Sequence, residues 1–216
     1  MGKMGERDTR ATGFVLPVGS GGVGKTSLSR VLLEYDREQE AYEEVIKTRV
    51  TKNLEFEFVP LQWDQDGQEF RVLAQILVPP GQTMLAEQQA GRTYEQAIDI
   101  YRFHIRRGDV VILVSSIMRE DSWKDLHYWA REVSDLTHDN TQYILLGTHL
   151  DQIEDRAVVW EDVAGERGEL VNLLKEIQPS WKGSCELLEI SNRTGENVQT
   201  LREMLAEGIL KAGGYI

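Results

Sequence analysis

The sequence predicts an α/β fold, with one open, six-stranded, mostly parallel sheet and helices on both of its faces. Short apolar segments alternate with longer amphipathic segments, which is typical of strands that alternate with helices. The apolar segments at residues 110–114 and 143–146 are uninterrupted, as in parallel strands that are covered on both faces. The pair Asp66-Gly67 lies between two β-type segments and predicts one antiparallel hairpin.

Periodicity and turn residues then place the individual elements. We predict strands over residues 13–19, 54–61, 70–78, 109–115, 142–148 and 186–190. We predict helices over residues 25–35, 84–107, 122–136, 162–177 and 197–210. A length of 216 residues suits one domain, which we assign to residues 13–212 after a flexible, polar N-terminus at residues 1–12. Ligands of such sheets bind beyond the carboxyl ends of the strands.

Charge and hydropathy limit the classes of partner. The net charge is −12, and an acidic chain is a poor candidate for binding nucleic acid or an anionic membrane. Arg102, Arg106 and Arg107 form a local basic cluster, either a basic spot on an acidic body or a solvated helix face. No stretch is apolar enough to span a bilayer, so we expect no direct membrane insertion.

The chain has one cysteine, Cys185. It can form no internal disulfide and no cysteine-pair zinc site, which favours a reducing cytoplasm. Because Cys185 begins an apolar segment, we expect a buried side chain rather than a nucleophile.

Residues 19–26 read Gly-Ser-Gly-Gly-Val-Gly-Lys-Thr and match a phosphate-binding loop at every fixed position. Glycines let the backbone N–H groups approach phosphates closely. Lys25 can then reach the β- and γ-phosphates, and the Thr26 hydroxyl can hold Mg²⁺. An apolar strand precedes the loop and a helix follows it, as this site requires, which argues against a chance glycine-rich turn. The candidate nucleotide-binding residues here are Gly19, Gly21, Gly22, Val23, Gly24, Lys25, Thr26 and Ser27.

Three later segments identify a family resemblance. Residues 145–151 read Leu-Leu-Gly-Thr-His-Leu-Asp, residues 188–198 contain Ser-Asn-Arg-Thr-Gly-Glu-Asn-Val, and residues 77–82 read Leu-Val-Pro-Pro-Gly-Gln. With the phosphate loop, these segments make the chain resemble the Ras-like small GTPases from about Gly13 to Leu210. The resemblance implies a P-loop NTPase of the small GTPase fold that binds GTP and GDP with Mg²⁺.

The resemblance assigns the guanine site to the two later motifs. The family carries Asn/Thr-Lys-x-Asp where this chain has Thr148, His149 and Asp151, and the aspartate accepts hydrogen bonds from guanine N1 and N2. The alternative for Asp151 is a helix cap or a surface turn. The family's Ser-Ala-Lys segment corresponds to Ser191, Asn192 and Arg193, where a backbone N–H contacts guanine O6; a plain strand-to-helix turn is the alternative.

The segment at residues 77–82 resembles the family's γ-phosphate sensor, Asp-x-x-Gly-Gln. The resemblance implies that the Gly81 N–H contacts the γ-phosphate and that Gln82 orients the attacking water. Val78 replaces the family's aspartate and cannot assist Mg²⁺. Bacterial GTPases of the MglA type also lack an aspartate there, which makes them the subgroup that this chain resembles most. If Gln82 is only structural, hydrolysis should be negligible.

The resemblance also implies a switch I threonine that binds Mg²⁺ and the γ-phosphate. Thr51 is the preferred candidate, Thr48 is an alternative, and alignment to the MglA-like strand offers Asn53. Lys52 or Arg49 can act as a built-in finger that stabilises transition-state charge, or can be a solvated loop charge.

About twice the family's usual number of residues separates Gln82 from Gly108. The extra segment, around residues 83–97, is either an enlarged switch II that forms an effector surface or a longer surface helix. The expected partners are protein effectors and an activating or exchange factor; the oligomeric state stays open. The alternatives to a switch with slow GTP hydrolysis are a degenerate GTPase that acts as a nucleotide-binding scaffold and a P-loop ATPase or kinase.

Overall fold

The computed structural model describes residues 9–35, 55–65, 67–78 and 108–216 of the chain. The strands are β1 (Thr9–Val18), β2 (Glu55–Gln65), β3 (Gln68–Val78), β4 (Gly108–Ser116), β5 (Thr137–Thr148) and β6 (Cys185–Glu189). The helices are α1 (Lys25–Glu34), α2 (Glu120–Lys124), α3 (Leu126–Glu132), α4 (Trp160–Ile177) and α5 (Val198–Ala212). Two 3₁₀ helices lie at Ser134–Leu136 and Leu150–Asp155.

The six strands of the described ranges form one sheet in the order β2-β3-β1-β4-β5-β6. Among these strands only the β2–β3 pair is antiparallel, and it runs without interruption from Glu55 opposite Val78 to Gln65 opposite Gln68. Gly67 has φ +80°, a conformation that glycine adopts at little cost. The predicted α/β class, the mostly parallel sheet and the hairpin are therefore confirmed; Asp66 lies outside the described residues.

Two hydrophobic layers cover the two faces of the sheet. Alternate residues of β4 point to opposite sides: Val110, Ile112 and Val114 pack with α1 and α5, while Val111 and Leu113 pack with α2, α3 and α4. All five are fully buried. The middle of this central strand, residues 110–114, is buried on both faces, which is why that part of its sequence is continuously apolar.

Three strand boundaries differ from the sequence prediction by four residues or more. β2 ends at Gln65 rather than at residue 61. β1 begins at Thr9 rather than at residue 13, so residues 9–12 belong to the sheet and not to a flexible N-terminus; residues 1–8 lie outside the described chain. Thr9–Thr12 pair with Phe70–Leu73 of β3, and only Ala11 of these four is buried. β5 begins at Thr137 rather than at residue 142, and a register shift against β4 lies between the Gly108–Thr137 and Val110–Gln142 pairs.

The predicted helix at residues 122–136 is divided. It consists of α2, α3 and the 3₁₀ helix at Ser134–Leu136, with the first break at Asp125. Asp125 caps α2 through its backbone N–H and accepts a hydrogen bond from the Ser20 hydroxyl at 2.6 Å through its side chain. The predicted helix over residues 84–107 and the cluster of Arg102, Arg106 and Arg107 lie outside the described residues.

Two further predictions can be compared with the structure. Cys185 is buried, and burial raises the pKa of its thiol to about 12. The predicted burial of Cys185 is confirmed, and a buried thiol with a raised pKa is a poor nucleophile near neutral pH. None of the helices in the described ranges combines the length and apolar character that a bilayer span requires.

Candidate functional site

The glycine-rich loop connects the carboxyl end of β1 to α1. Three of its glycines have positive φ: Gly19 at +151°, Gly22 at +76° and Gly24 at +91°. A Cβ atom at Gly19 would lie 2.0 Å from the Val114 carbonyl oxygen of β4. This close approach of two backbones excludes any side chain at position 19 and fixes where the loop leaves the sheet.

Lys25 begins α1 and folds back into the loop. Its Nζ donates hydrogen bonds to the carbonyl oxygens of Gly19 at 2.6 Å and Ser20 at 2.7 Å. The side chain is buried, and desolvation lowers the pKa of its amine to about 8. A cation held inside a backbone loop is suited to contact an anionic ligand such as a phosphate.

Three side chains from distant segments hold three carbonyl groups of the loop. Arg119 Nη1 donates to Gly21 O at 2.7 Å, Thr148 Oγ1 donates to Val23 O at 2.8 Å, and Asn192 Nδ2 approaches Gly24 O at 3.3 Å. Because Thr148 and Asn192 belong to the predicted base-binding motifs, the structure connects those motifs directly to the phosphate loop.

His149 follows β5 in a left-handed conformation, with φ +69°. Its Nδ1 lies 2.9 Å from Thr148 Oγ1 and 3.0 Å from Ser116 Oγ. Burial is the largest cause of the lowered pKa of its imidazole. The ring is therefore held beside the β5 terminus in a mainly neutral form at pH 7.

Asp151 and Ser191 bring the two base-binding motifs together. Ser191 Oγ donates to Asp151 Oδ1 at 2.7 Å. The same hydroxyl accepts hydrogen bonds from the backbone N–H groups of Arg193 at 3.2 Å and Thr194 at 3.0 Å. A serine at position 191 thus orients the carboxylate and also shapes the turn that follows β6.

A cavity of about 310 Å³ lies between these motifs and the phosphate loop. Its lining residues are Gly24, Ser27, His149, Asp151, Gln152, Asn192 and Arg193. Asn192 Oδ1 is buried and has no hydrogen-bond partner within the described chain. A buried acceptor without a partner is uncommon, and its position in the cavity wall suits a polar ligand.

The structure thus brings the predicted phosphate loop and base motifs to one edge of the sheet. The remaining predicted site residues, Thr51, Gly81 and Gln82, lie outside the described residues, as do Thr48, Arg49, Lys52 and Asn53. Of the two predicted Mg²⁺ ligands, the described chain includes only Thr26, in the first turn of α1. Sequence analysis missed Arg119 and Asp125, which contact the loop across 98 and 105 residues.

Comparison with known proteins agrees with this architecture. Residues 89–211, more than half of the chain, match the model of the Ras family. The chain belongs to the Ras family. The matched range of this Ras-family protein contains Thr148, Asp151 and Ser191, whereas the phosphate loop precedes it.

The Ras-family assignment is supported by an individual relative. The Ras-related protein Rab-24 of Dictyostelium discoideum is 29% identical over 125 residues, which cover 56% of this chain and 54% of that protein. The chain therefore spans about half the length of the curated relative that it matches.

Proposed function

We propose that this protein is a guanine-nucleotide switch that binds Mg-GTP and slowly hydrolyses it to GDP and phosphate. The proposal depends mainly on one observation: the phosphate loop and Asp151 meet around a single cavity of about 310 Å³. A carboxylate there accepts hydrogen bonds from guanine N1–H and the N2 amino group. Adenine presents an unprotonated N1 at that edge and has no N2 amino group, so Asp151 favours guanine.

The other site residues contact the phosphates, hold Mg²⁺ or orient the attacking water. Backbone N–H groups of residues 19–26 and the Lys25 amine contact the phosphates. Thr26, together with Thr51, would hold Mg²⁺, which supplies charge neutralisation at the phosphates. Gln82 orients a water whose oxygen bonds to the γ-phosphorus as the bond to the β–γ bridging oxygen breaks. The products are GDP and phosphate, and the water's protons go to phosphate and solvent.

A nucleotide-binding scaffold is the second candidate. Val78, at the end of β3, has no carboxylate for Mg²⁺, and His149 lies where the family has lysine. Such a protein would bind nucleotide without releasing phosphate. The third hypothesis, an ATPase or kinase, requires a site that accepts adenine and conflicts with the role proposed for Asp151.

Calorimetry with non-hydrolysable GTP and ATP analogues tests the base preference. We expect nucleotide-stripped protein with Mg²⁺ to bind the GTP analogue at least about 100-fold more tightly, because two charge-assisted hydrogen bonds are at stake. Asp151→Ala should remove this preference. Asp155→Ala is the matched control, since Asp155 is exposed and does not line the cavity. Equal binding of the two analogues contradicts the guanine site.

Phosphate release from GTP then separates the switch from the scaffold. We expect a slow single-turnover release that Gln82→Ala reduces by at least about tenfold, because the attacking water loses its orienting group. Phosphate release that is no faster than the spontaneous hydrolysis of GTP in buffer contradicts the switch and favours the scaffold.

Protein effectors and an activating or exchange factor are the proposed partners, and the proposed location is the cytoplasm. Phe56 and Phe58 support a protein partner, because both are exposed on β2, which is one of the two edge strands of the sheet in the described residues. The buried thiol Cys185 agrees with a reducing compartment. Membership of the MglA-type subgroup stays a prediction that depends on residues 78–82.

A further inference from the structure

We propose that Arg119 is a positioning residue for the phosphates of the bound nucleotide, which it affects by fixing one peptide plane of the phosphate loop. This inference depends on the proposed function, because it concerns the same nucleotide. Arg119 precedes α2, in the turn after β4, and lies outside the motifs by which the sequence predicts the site. Its role follows from two contacts and from the geometry of the peptide bond.

The first contact joins Arg119 to the loop. Nη1 donates to the Gly21 carbonyl oxygen at 2.7 Å, and it would lie 3.6 Å from a Cβ atom on Gly22. The guanidinium group therefore lies against the carbonyl side of the Gly21–Gly22 peptide. Because a trans peptide is planar, its C=O and N–H point in opposite directions. A carbonyl held by Arg119 aims the Gly22 N–H away from the guanidinium group, and this is the direction that we assign to the phosphates.

The second contact orients the guanidinium group through a partly exposed ion pair, in which the side chains of Arg119 and Asp121 are 41% and 67% exposed. Asp121 accepts two hydrogen bonds from Arg119. Nη2 donates to Oδ2 at 2.6 Å, and Nε donates to Oδ1 at 3.3 Å. This two-point pair uses one edge of the planar group and leaves Nη1 for Gly21, a division that lysine cannot reproduce. The hydrogen bond to Asp121 is also the largest cause of the raised pKa of Arg119, so the group stays charged.

Neighbouring peptides of the loop are held in the same way. Thr148 Oγ1 holds Val23 O, and Asn192 Nδ2 approaches Gly24 O. These contacts come from the base-binding motifs, whereas Arg119 comes from the turn after β4. Arg119 therefore holds the part of the loop that Thr148 and Asn192 do not reach, and its loss should affect phosphate contacts more than base contacts.

Nucleotide affinity separates this role from a merely structural one. In Arg119→Ala we expect the Kd of GDP to rise about tenfold, the effect of one misaligned charge-assisted hydrogen bond, while the Kd of guanosine changes less than about twofold. In the GDP complex, hydrogen exchange at the Gly22 amide should become faster, with less change at Lys25. Arg119→Lys keeps the charge without the two-point pair and should give a smaller loss.

Arg167→Ala is the matched control. Arg167 donates to a backbone carbonyl, Cys185 O, at 2.6 Å and pairs with Glu186 at 3.4 Å, on the outer strand away from the loop. We expect it to leave the affinity for GDP and for guanosine unchanged. Thermal unfolding of each variant shows whether it is folded. If Arg119→Ala does not fold, Arg119→Lys provides the test.

The outcomes are distinct. Wild-type protein that binds neither GDP nor guanosine contradicts the proposed function and this inference with it. Wild-type binding with unchanged GDP affinity in both Arg119 variants contradicts the inference alone. Equal losses for GDP and guanosine also contradict it, because they indicate a general disturbance of the site rather than a misaligned phosphate loop.

Discussion

At the residue scale, Lys25 links the site to pH. Its amine is buried against the carbonyl groups of Gly19 and Ser20, and desolvation lowers its pKa to about 8. Bound phosphates bring negative charge next to the amine and raise that pKa again. A group whose pKa rises on binding takes up protons, so the contribution of Lys25 to the affinity for GDP should be complete below about pH 7 and be lost as the pH rises through about 8.

Calorimetry in buffers of different ionisation enthalpy measures this uptake. We expect wild type to take up about half a proton more per GDP than Lys25→Gln at about pH 8, where about half of the free Lys25 amines are deprotonated, and the difference to be close to zero at about pH 6.5. Lys25→Gln is the control, because it removes the amine and keeps the titration of guanine and of the GDP phosphates. Equal proton uptake in wild type and Lys25→Gln would show that another group is responsible.

Site residues that belong to a motif with fixed spacing can be predicted from the sequence, whereas the residues that support them through tertiary contacts cannot. Lys25 and Asp151 belong to fixed patterns in which spacing follows from chemistry. Arg119 and Asp125 have no such pattern, because each acts through a single contact with Gly21 or Ser20 that depends on tertiary structure. An arginine in a turn and an aspartate between two helices are ordinary in a sequence.

At the scale of elements, the accuracy of a predicted boundary depends on how clearly apolar residues differ from polar residues in that part of the sequence. The predicted range of β4, residues 109–115, differs by one residue at each end from the observed range, Gly108–Ser116. The prediction is accurate because the middle of a strand that is buried on both faces is uniformly apolar. The first residues of β1 and β5 are mostly polar and were missed. Their backbones join the sheet through β3 and β4, which is long-range information that no local pattern contains.

An ion pair at the end of β6 provides a prediction on this scale. Glu189 accepts hydrogen bonds from both terminal nitrogens of Arg156. The side chain of Glu189 is 8% exposed, and that of Arg156 is 17% exposed. Removing one partner leaves a buried charge without compensation. Glu189→Gln should therefore lower the free energy of unfolding by about 3 kcal/mol, measured by urea denaturation.

The same strand contains a matched control for this pair. Glu186 pairs with Arg167 at 3.4 Å, but both side chains are about half exposed. Solvent weakens such pairs, so Glu186→Gln should change the free energy of unfolding by less than about 0.5 kcal/mol. Equal effects of the two substitutions would mean that burial does not govern the strength of these pairs.

At the scale of the whole molecule, the site connects both halves of the sheet. The phosphate loop follows β1, Asp151 follows β5 and Ser191 follows β6, with β4 between the two groups. An unfolded chain does not hold these three segments together, so the proposed nucleotide site exists only in the native state. Binding must then stabilise the whole fold by mass action.

Urea unfolding with Mg-GDP measures this coupling. At a free GDP concentration of about 100 times Kd, the free energy of unfolding should rise by about 2.7 kcal/mol. The dependence on urea should stay the same, because the surface exposed on unfolding is unchanged. Mg-ADP, or Mg-GDP with Asp151→Ala at the same concentration, should give almost no gain. A full gain in either case would place the coupling outside the guanine site, since only Asp151 and its guanine contacts distinguish these conditions.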